Sequence, residues 1–418
     1  MRILYLHQYF RTPDSPGGTR SYEMARRLVA AGHEVFMITA DDGDDRKLGE
    51  LRQTDVAGIK VYSVAVPYSH MMNYATRIKS FLQYSWYAAR TASKIPADVV
   101  FATSTPLTIA IPAVYAARMQ RIPMVFEVRD LWPEVPIAMG VIKNPLLKLA
   151  SRWLERFAYK NSKRVVALAP GMKDGVVATG YPADQVAVIP NGCDVDLFQA
   201  DMNKAQEIRN SRSWLGERPL VIYAGTLGVC NGVDYLARLA EKVYALDPEI
   251  RFLAIGEGRE KAKIVELASS LGVLEQNFFL MNPIPKNEIP GWLAATDMVA
   301  AVLTGPPVVW KDAVSNKFFD ALASGKPIMN NFVGWQSTVS VDEGVGIIVD
   351  PEDLDSAARD LVDVMHDRDW REAAGARARR LAQTRFNRDI LAGQLETVLC
   401  DAVAASESPS RAPAVGVR

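Results

Sequence analysis

Two carboxylates and the lysine between them lie close together in the stretch DAVSNKFFDALASGKPIM, residues 312–329. Asp312 and Asp320 are eight residues apart, and Lys317 lies between them. The apolar pattern predicts a short helix with Lys317, Asp320 and Ser324 along one stripe, because residues three and four apart share a helix face. Such groups can bind the hydroxyls or phosphates of a ligand. For this stretch alone, a lysine–aspartate pair on a solvated helix face is the simpler interpretation.

The beginning of that helix offers backbone donors as well. Ser315 or Asn316 can cap the helix, and the N–H groups of its first turn point outward. Phe318, Phe319 and Leu322 fall on the other side, which predicts that this side is buried. The charged stripe is then free to meet a cleft.

A glycine-containing loop follows a predicted strand near the start of each half of the chain. The first loop contains Gly17 and Gly18, and a helix begins after it near Arg20. The second loop, GTLGVCNG, begins at Gly225 and also precedes a helix. Glycine lets the backbone approach a ligand closely, and a helix N-terminus favours an anion. A plain strand-to-helix turn explains either loop equally well, and the turn at Gly256 has the same two interpretations.

Charged residues follow the apolar strand PMVF, in the segment FEVRDLWPEVP. Arg129, Asp130 and Glu134 would point into the crevice at the carboxyl ends of the strands, where α/β proteins bind ligands. The alternative is a surface ion pair of Arg129 beside a packed Trp132. The number of polar groups next to Trp132 and Pro133 favours a functional role for Arg129 and Asp130.

The composition excludes several classes of protein. With 418 residues, 49% of them hydrophobic and 23% charged, the chain has the make-up of a soluble globular protein of two or three domains. Its three cysteines lie far apart without metal-ligand spacing, which predicts free thiols in a reducing compartment. The first residues have too short an apolar stretch for a signal peptide. The longest uncharged run, residues 99–117, contains two prolines and several hydroxyls, which favours a strand and a buried helix over a membrane span.

Apolar strands alternate with amphipathic helices along the whole chain. This rhythm predicts an α/β protein with two doubly wound, Rossmann-like halves. The turn sequence PNG at 190–192 predicts the boundary between them. The expected parts are a first domain at 1–195, a second domain at 196–384, a helix at about 385–403 that packs back on the first domain, and a disordered tail at 404–418.

These features occur in the order found in glycosyltransferase family 4, the retaining transferases of the GT-B fold, which the chain resembles over nearly its whole length. The segments VRDLWPE and NKFFDALASGKP resemble most the branch that adds amino-sugars or deoxysugars during bacterial surface-polysaccharide assembly. The other matching segments are PGG after the first strand, GHEV, IPNGCDVDLF, YAGTLG with GVDYL, FLAIGEG, the acid-x7-acid pattern at Asp312 and Asp320, and ALASGKPI.

The resemblance implies that two domains face a cleft and divide the substrates between them. The second domain would bind a nucleoside-diphosphate sugar, with UDP as the expected nucleotide, and the first a glycan or lipid-linked acceptor. No metal or other cofactor is expected. Asp320 would hold the ribose hydroxyls, Asp312 would reach the donor sugar, and residues 313–317 would meet the diphosphate. The donor-binding residues implied in this way are Gly17, Gly18, Arg20, Gly225, Thr226, Asn231, Gly256, Pro283 and Ile284 (next to the base), Ser315, Asn316, Lys317 and Asp320.

The chain departs from the family's pattern at several of these positions. Both acids are aspartate, where the family usually has the longer glutamate. The family commonly carries Arg and Lys in the loop after the first strand of the second domain, whereas this chain has Thr226 and Asn231. A leaving nucleoside diphosphate still needs a cation. Lys317 is the first candidate for that role, Arg20 the second and Lys311 the third.

In the first domain, Arg129 and Asp130 stand where many family members carry a histidine. The resemblance therefore assigns them to the catalytic side of the cleft, together with Asp312 and Lys317. It also implies retention at the anomeric carbon. Since no residue stands out as a nucleophile, we favour front-face attack, in which the leaving phosphate helps to deprotonate the acceptor.

Two other functions are compatible with the sequence. A nucleotide-sugar 2-epimerase on the same fold would need further acid and base groups, and the four histidines stand in no evident catalytic setting. A non-catalytic, membrane-associated binding subunit would explain why Thr226 and Asn231 replace the expected cations.

A basic amphipathic segment at residues 142–164 points to a further partner. It holds seven basic residues and one acid, so its net charge of +6 equals that of residues 1–199, which contain 24 basic and 18 acidic side chains. Lys148, Arg152 and Arg156 form one stripe beside the apolar Trp153, a pattern typical of a helix on an anionic membrane. An ordinary helix with its apolar side in the core fits equally. Aromatic and basic residues at 71–90 favour the membrane, which predicts a cytoplasmic protein on the inner face of the cell membrane.

Overall fold

The computed structural model describes residues 1–14, 18–41, 46–68, 72, 74–199 and 201–407. In this part of the chain, strands and helices alternate and build two mostly parallel sheets with helices on both faces. The predicted α/β class with two Rossmann-like halves is therefore confirmed.

The first sheet contains eight strands within the described residues. Among these eight strands, only β3 is antiparallel to the strand beside it, β4. Across the sheet, the order is β3-β4-β2-β1-β5-β6-β7-β8, where the strands are β1 Arg2–Leu6, β2 Glu34–Asp41, β3 Leu51–Val56, β4 Ile59–Ala65, β5 Val99–Thr103, β6 Met124–Val128, β7 Arg164–Ala167 and β8 Val186–Val188.

Helices cover both faces of this sheet, which is why a central strand such as β5 is buried along its whole length. The helices of this half are α1 Arg20–Ala30, α2 Tyr74–Ala92, α3 Ala110–Gln120, α4 Glu134–Ala138, α5 Pro145–Lys160 and α6 Pro170–Ala178. On one face, α2, α3 and α5 contribute to a single core. On the other face, α1 shares a second core with the last helix of the chain.

The second sheet contains six strands within the described residues, all parallel, in the order β11-β10-β9-β12-β13-β14. They are β9 Leu220–Ala224, β10 Arg251–Ile255, β11 Phe278–Met281, β12 Met298–Ala300, β13 Ile328–Asn330 and β14 Gly346–Ile348. The helices around them are α7 Met202–Asn210, α8 Val233–Leu246, α9 Lys261–Ser270, α10 Ile289–Ala295, α11 Pro307–Trp310, α12 Asn316–Ser324, α13 Trp335–Asp342, α14 Leu354–His366, α15 Arg368–Thr384 and α16 Arg388–Glu407.

Each sheet reverses its strand order at one point, between β1 and β5 in the first and between β9 and β12 in the second. Ligands of doubly wound proteins bind outside the carboxyl ends of the strands at such a point. The loops that follow β1, β5, β9 and β12 are therefore the places where a ligand is expected.

The last helix, α16, returns to the first half of the molecule. Leu391, Leu395 and Leu399 enter the same core as Ile3 of β1, and the helix packs against α1, β5 and β6. It runs to Glu407, so residues 404–407 are helical where a disordered tail was predicted. The rest of that predicted tail, residues 408–418, lies outside the described residues.

The chain thus crosses between the halves twice, and the two crossings are hydrogen-bonded to each other. Cys193 N–H donates to Phe386 O at 2.7 Å, and Arg388 N–H donates to Cys193 O at 3.3 Å. The guanidinium of Arg388 also forms an ion pair with Asp194. These contacts join both crossings into one short parallel ribbon.

Within the described residues, no helix combines the length and the apolarity that crossing a bilayer requires.

Glu155 is the one acid of α5, and its side chain is buried. Burial, together with the neighbouring charge of Glu134, raises the pKa of Glu155 from its usual 4.5 to about 7. The hydroxyl of Tyr159 donates a hydrogen bond to its Oε1 at 3.3 Å. Because the folded pKa lies above the unfolded one, the protonated carboxyl contributes stability at acid pH that is lost as pH rises through 7.

We expect Glu155→Gln to raise the free energy of unfolding at pH 8 by about 1–2 kcal/mol and to change it least at pH 5. Glutamine keeps an oxygen for Tyr159 but cannot ionise. Urea unfolding of both proteins at the two pH values measures the difference. Glu266→Gln, at an exposed position of α9, is the matched control and should show no such dependence. Equal effects of Glu155→Gln at both pH values would contradict the burial argument.

Candidate functional site

The helix predicted around Lys317 is α12, and the side that was predicted to be buried is buried. Phe318, Phe319 and Leu322 are fully buried, and Gly325 ends the helix with a φ of +64°. Ser315 stands at the N-cap, but its side chain accepts no hydrogen bond from the first turn. The N–H groups at the start of α12 are thus available to another acceptor.

The turn before α12 is held by a side-chain amide from α13. Ser315 N–H donates to Gln336 Oε1 at 2.9 Å, and Gln336 Nε2 donates back to Ser315 O at 3.1 Å. Ala313 N–H donates to Trp310 O. These bonds correct the expectation that the whole 313–317 turn offers N–H groups to a diphosphate, because two of its donors are already engaged.

Lys317 extends from the first turn of α12 towards the loop after β9. Its Nζ lies 4.6 Å from the ring centroid of Tyr223, whose hydroxyl donates to Thr226 O at 2.7 Å. Burial lowers the pKa of Lys317 to about 8, although the charge of Asp320 opposes the shift. Among the described residues, no carboxylate lies within ion-pair distance of this ammonium. Lys317 is therefore a half-buried cation beside a glycine loop, which is a setting for an anion.

Asp320 is paired with a lysine that the sequence did not single out. Lys286 Nζ donates to both carboxylate oxygens of Asp320, at 2.8 and 3.0 Å, and lies 5.1 Å from the ring centroid of Phe198. Lys286 belongs to the loop after β11 that contains Pro283 and Ile284. The loop with Pro283 and Ile284 therefore lies against α12. It would have to lie there if it bound the base of a nucleotide whose ribose is held by Asp320.

The glycine loops of the second half stack directly on each other. A methyl group at Gly256 would lie 1.9 Å from Gly225 O, and one at Gly258 would lie 2.1 Å from Leu227 O. Leu227 N–H donates to Glu257 O at 2.8 Å. Close backbone packing alone therefore requires glycine at 256 and 258, which is the turn interpretation of that segment.

The two uncharged residues of the loop after β9 have different surroundings. Thr226 is exposed. The side chain of Asn231 is directed towards Gly228 and towards the hydroxyl of Tyr223. Both therefore lie in the same loop system as Lys317.

Gly18 meets the second half of the molecule across the cleft. A methyl group there would lie 3.6 Å from Arg129 Nη2 and 3.8 Å from Asn316 Nδ2. The first glycine loop, the end of β6 and the beginning of α12 thus converge at one place. Gly17 lies outside the described residues.

Arg129 is oriented by a buried histidine that sequence reasoning passed over. His7 directly follows β1, and its Nε2 lies 3.3 Å from Arg129 Nη1. Burial, together with the charge of Arg129, lowers the pKa of His7 well below its usual value. The neutral ring accepts from Arg129, so its proton is on Nδ1 and is donated to Ser21 Oγ at 2.7 Å. A polar residue at the carboxyl end of the first strand was the available signal.

Asp130 is exposed at the mouth of the cleft. Its Oδ2 accepts a hydrogen bond of 3.3 Å from the Thr105 hydroxyl in the loop after β5. Arg129 and Asp130 therefore lie at the strand-order reversal of the first sheet, which is the expected position for a ligand.

Arg20 is engaged in the core of the first half instead of the cleft. Its side chain is 4% exposed, and Nε and Nη2 donate to Glu127 Oε1 at 3.0 and 2.8 Å. The guanidinium also donates to the carbonyls of Ile189 and Pro190. Although burial opposes it, this guanidinium holds the pKa of Glu127 below its usual range. The expectation that Arg20 supplies a cation to the diphosphate is corrected, because each of its nitrogens already has a protein acceptor.

Asp312 lies at a contact between the two halves. Its carboxylate fills the space beside Gly171 in the first turn of α6, where a methyl group would lie 1.9 Å from Oδ1. Burial raises the pKa of Asp312. Nearby, Asn191 Nδ2 donates to Val314 O at 3.0 Å. A contact of Asp312 with a donor sugar stays a prediction.

The four residues predicted to face an acceptor or a membrane lie on α5. Lys148 is half-buried, and Arg152, Trp153 and Arg156 are exposed. Arg152 Nη2 lies 3.6 Å from Glu134 of α4.

Two facing Rossmann-like domains, with a desolvated lysine at the reversal point of the second sheet, define the architecture of a GT-B glycosyltransferase. Residues 17–192 match the family described as "Glycosyl transferase 4-like domain", and residues 204–381 match "Glycosyl transferases group 1". The chain belongs to the family 4 glycosyltransferases.

Relatives in this family have several different substrates. The chain is 29% identical over 240 residues to the D-inositol 3-phosphate glycosyltransferase of Xylanimonas cellulosilytica, a match over 55% of this chain and 54% of that protein. It is 24% identical to the GDP-mannose-dependent alpha-(1-6)-phosphatidylinositol monomannoside mannosyltransferase of Mycolicibacterium smegmatis, over 74% of this chain and 84% of the relative. The solved structure of HepE from Anabaena in complex with UDP-glucose has the same fold, with a TM-score of 0.70, 18% identity, and coverage of 96% and 100% of the two chains.

Proposed function

We propose that this protein transfers a hexosyl or N-acetylhexosaminyl group from a UDP-sugar to a glycan or lipid-linked acceptor of cell-surface polysaccharide synthesis, with retention at the anomeric carbon. The observation that carries the proposal is the desolvated ammonium of Lys317 beside the loop after β9. A half-buried cation without a carboxylate partner is stabilised by a bound anion, and a diphosphate supplies one. HepE, which shares the fold, holds UDP-glucose.

The diphosphate is proposed to lie between Lys317, the first-turn N–H groups of α12 and the facing loop at Gly18. The helix N-terminus and the ammonium both favour the negative charge that grows on the leaving group. Such stabilisation comes from the protein, so no metal ion has a necessary role in this proposal.

Asp320 is proposed to bind the ribose. Its carboxylate has about four lone-pair positions, and Lys286 uses one on each oxygen. The remaining positions can accept hydrogen bonds from two neighbouring hydroxyls. Lys286 also fixes the orientation of the carboxylate and joins it to the loop at Pro283 and Ile284, against which the base would lie.

The acceptor is proposed to approach from the first half, at Arg129 and Asp130. The neutral ring of His7 accepts from Arg129 and orients the guanidinium towards the cleft. In front-face attack, the leaving phosphate takes the proton of the acceptor hydroxyl as the new bond forms on the same side of the sugar. The protein contributes by positioning the reactants and by stabilising charge.

Binding of nucleotide-sugars to Asp320→Ala tests the proposal. We expect wild type to prefer a UDP-sugar in a panel of UDP-, GDP-, ADP- and dTDP-sugars, and the variant to bind it about 10- to 100-fold more weakly, because hydrogen bonds to a charged group are lost. Calorimetry measures the affinity. Asp342→Ala, at an exposed position of α13, is the matched control and should bind normally.

The products separate this function from the alternatives. Acceptor-dependent transfer with an α-configured product from an α-configured donor supports the proposal. An epimerised nucleotide-sugar formed without acceptor would indicate a 2-epimerase. Binding without turnover over a panel of acceptors would favour a non-catalytic subunit. Failure to bind any nucleotide-sugar would contradict the proposed transferase.

A further inference from the structure

Large apolar side chains are exposed on the outer side of three neighbouring helices of the first half. Helix α3 lies between α2 and α5 and packs against both. The exposed residues are spaced three or four apart on each helix, so each set lies on one side of its helix. They are Ile78, Leu82 and Trp86 on α2; Ile111, Tyr115 and Met119 on α3; and Leu146, Leu149 and Trp153 on α5. We call this surface the three-helix face.

This surface is additional to the side of the helices that forms the core. On α2, Tyr84, Ala88 and Ala92 are fully buried against the first sheet. The outward residues are not at the margin of that core, since Trp86 is 63% exposed, Met119 61% and Leu146 74%. Contiguous exposed apolar surface of this kind marks a site of interaction with a protein or a membrane.

The helices that form the three-helix face carry mostly basic side chains. Helices α2, α3 and α5 together contain eight basic residues and one acidic residue, and the acid, Glu155, is buried. Because the whole chain has a net charge of zero, this excess is local. Apolar side chains bordered by Lys and Arg suit the boundary between the acyl chains and the anionic headgroups of a bilayer.

A basic cavity at one end of the three-helix face adds a separate observation. It has a volume of about 370 Å³ and lies where α3 and α5 both end. Arg118, Arg121, Lys160 and Lys163 line it, and none of its described lining residues is acidic. Four cations around a cavity of this size fit a phosphate headgroup.

We propose that the three-helix face binds flat on an anionic lipid bilayer. Trp86, Met119, Leu149 and the other apolar side chains enter the interface, and the surrounding bases contact lipid phosphates. The loop of Asp130 leads directly into α4, and Glu134 of α4 lies 3.6 Å from Arg152, so this orientation places the segment after Asp130 beside the bilayer. That last step rests on the proposed function, since it makes a lipid-linked acceptor accessible to Arg129 and Asp130.

Vesicle co-sedimentation of the full chain tests this proposal. We expect binding to vesicles of phosphatidylcholine with 30% phosphatidylglycerol, little binding to phosphatidylcholine alone, and a loss of affinity as salt is raised. The double variant Leu82→Glu with Leu149→Glu should weaken binding at least tenfold. Arg152→Glu with Arg156→Glu should do the same and should reduce the salt dependence. All four positions are on the solvent side, so thermal melts should stay near that of wild type.

The matched control is Leu246→Glu with Val341→Glu, which changes two exposed apolar residues of the second half and should leave vesicle binding unchanged. Absence of binding by wild type would overturn the proposal, and so would equal loss in the control. If wild type forms a dimer that Leu82→Glu with Leu149→Glu dissociates, and does not bind vesicles, the face is an interface between two copies instead.

Failure of the membrane proposal is distinguishable from failure of the proposed function. Binding of nucleotide-sugar without vesicles depends on Asp320 and Lys317, and neither lies on the three-helix face. All face variants should therefore bind the UDP-sugar with wild-type affinity, and a wild-type protein that binds the sugar but no vesicles refutes only the membrane proposal.

Discussion

Replacing Lys317 by methionine is expected to lower kcat/KM for sugar transfer by about 100- to 1,000-fold. The size follows from removing one preorganised charge that stabilises the leaving group. Methionine keeps the length of the side chain and its contact with the ring of Tyr223, so α12 should fold as before. Donor affinity should fall less than kcat, because the charge on the diphosphate is largest when the bond to the sugar breaks.

Transfer kinetics with saturating acceptor measure the effect. Lys311→Met is the matched control, since Lys311 precedes the same helix but is exposed; we expect less than threefold change. If Lys311→Met lowers the activity more than Lys317→Met does, the cation that stabilises the leaving group is Lys311. If both variants keep full activity, neither lysine stabilises the leaving group.

The pH profile gives a second measure of Lys317. Burial lowers its pKa to about 8, and only the protonated form carries the charge. We therefore expect kcat/KM of wild type to decline as pH rises through 8. The decline in kcat should occur at higher pH, because a bound diphosphate favours the ammonium and raises its pKa. The profile of Lys317→Met should lack the decline.

Replacing Arg20 by methionine is expected to lower the free energy of unfolding by about 3–5 kcal/mol. The substitution leaves Glu127 buried without its partner, which is the costly way to break an ion pair. The carbonyls of Ile189 and Pro190 also lose their donors. Adding Glu127→Gln should recover part of the loss, because no buried charge then remains.

Urea unfolding followed by circular dichroism measures both variants. Arg368→Met is the control, since the Arg368–Glu372 pair is 81% and 63% exposed and should contribute less than about 1 kcal/mol. If Arg20→Met instead unfolds like wild type and loses donor affinity, Arg20 faces the ligand as the sequence suggested. Measuring the free energy of unfolding and the donor affinity of Arg20→Met separately therefore shows whether Arg20 acts in the core or in the cleft.

The fold was predictable because its signals are local. Apolar strands and amphipathic helices follow one another in the sequence, and a regular βα alternation has few ways to bury its apolar faces. The burial of Phe318 and Phe319 on α12 followed from spacing alone. The helical state of residues 404–407 was missed because a composition rich in Ala and Ser gave no sign of where α16 ends.

The site was predictable only in part, since its side chains meet across long distances in the chain. Lys286 pairs with Asp320 from 34 residues away. Nothing next to Lys286 marks it as different from a surface lysine. Arg20 shows the opposite error: a base at a helix start after a glycine loop suggests a phosphate ligand, yet Glu127, which is 107 residues away, binds it.

The return of α16 makes the second half of this protein an insertion in the first. Residues 1–188 do not contain the whole of their own core, because Leu391, Leu395 and Leu399 complete it. Removing α16 would therefore damage the first half, although the helix is encoded after the second half. Since the two connecting segments are hydrogen-bonded to each other at Cys193 and Phe386, we expect any rotation of one half against the other to take place about this pair of segments.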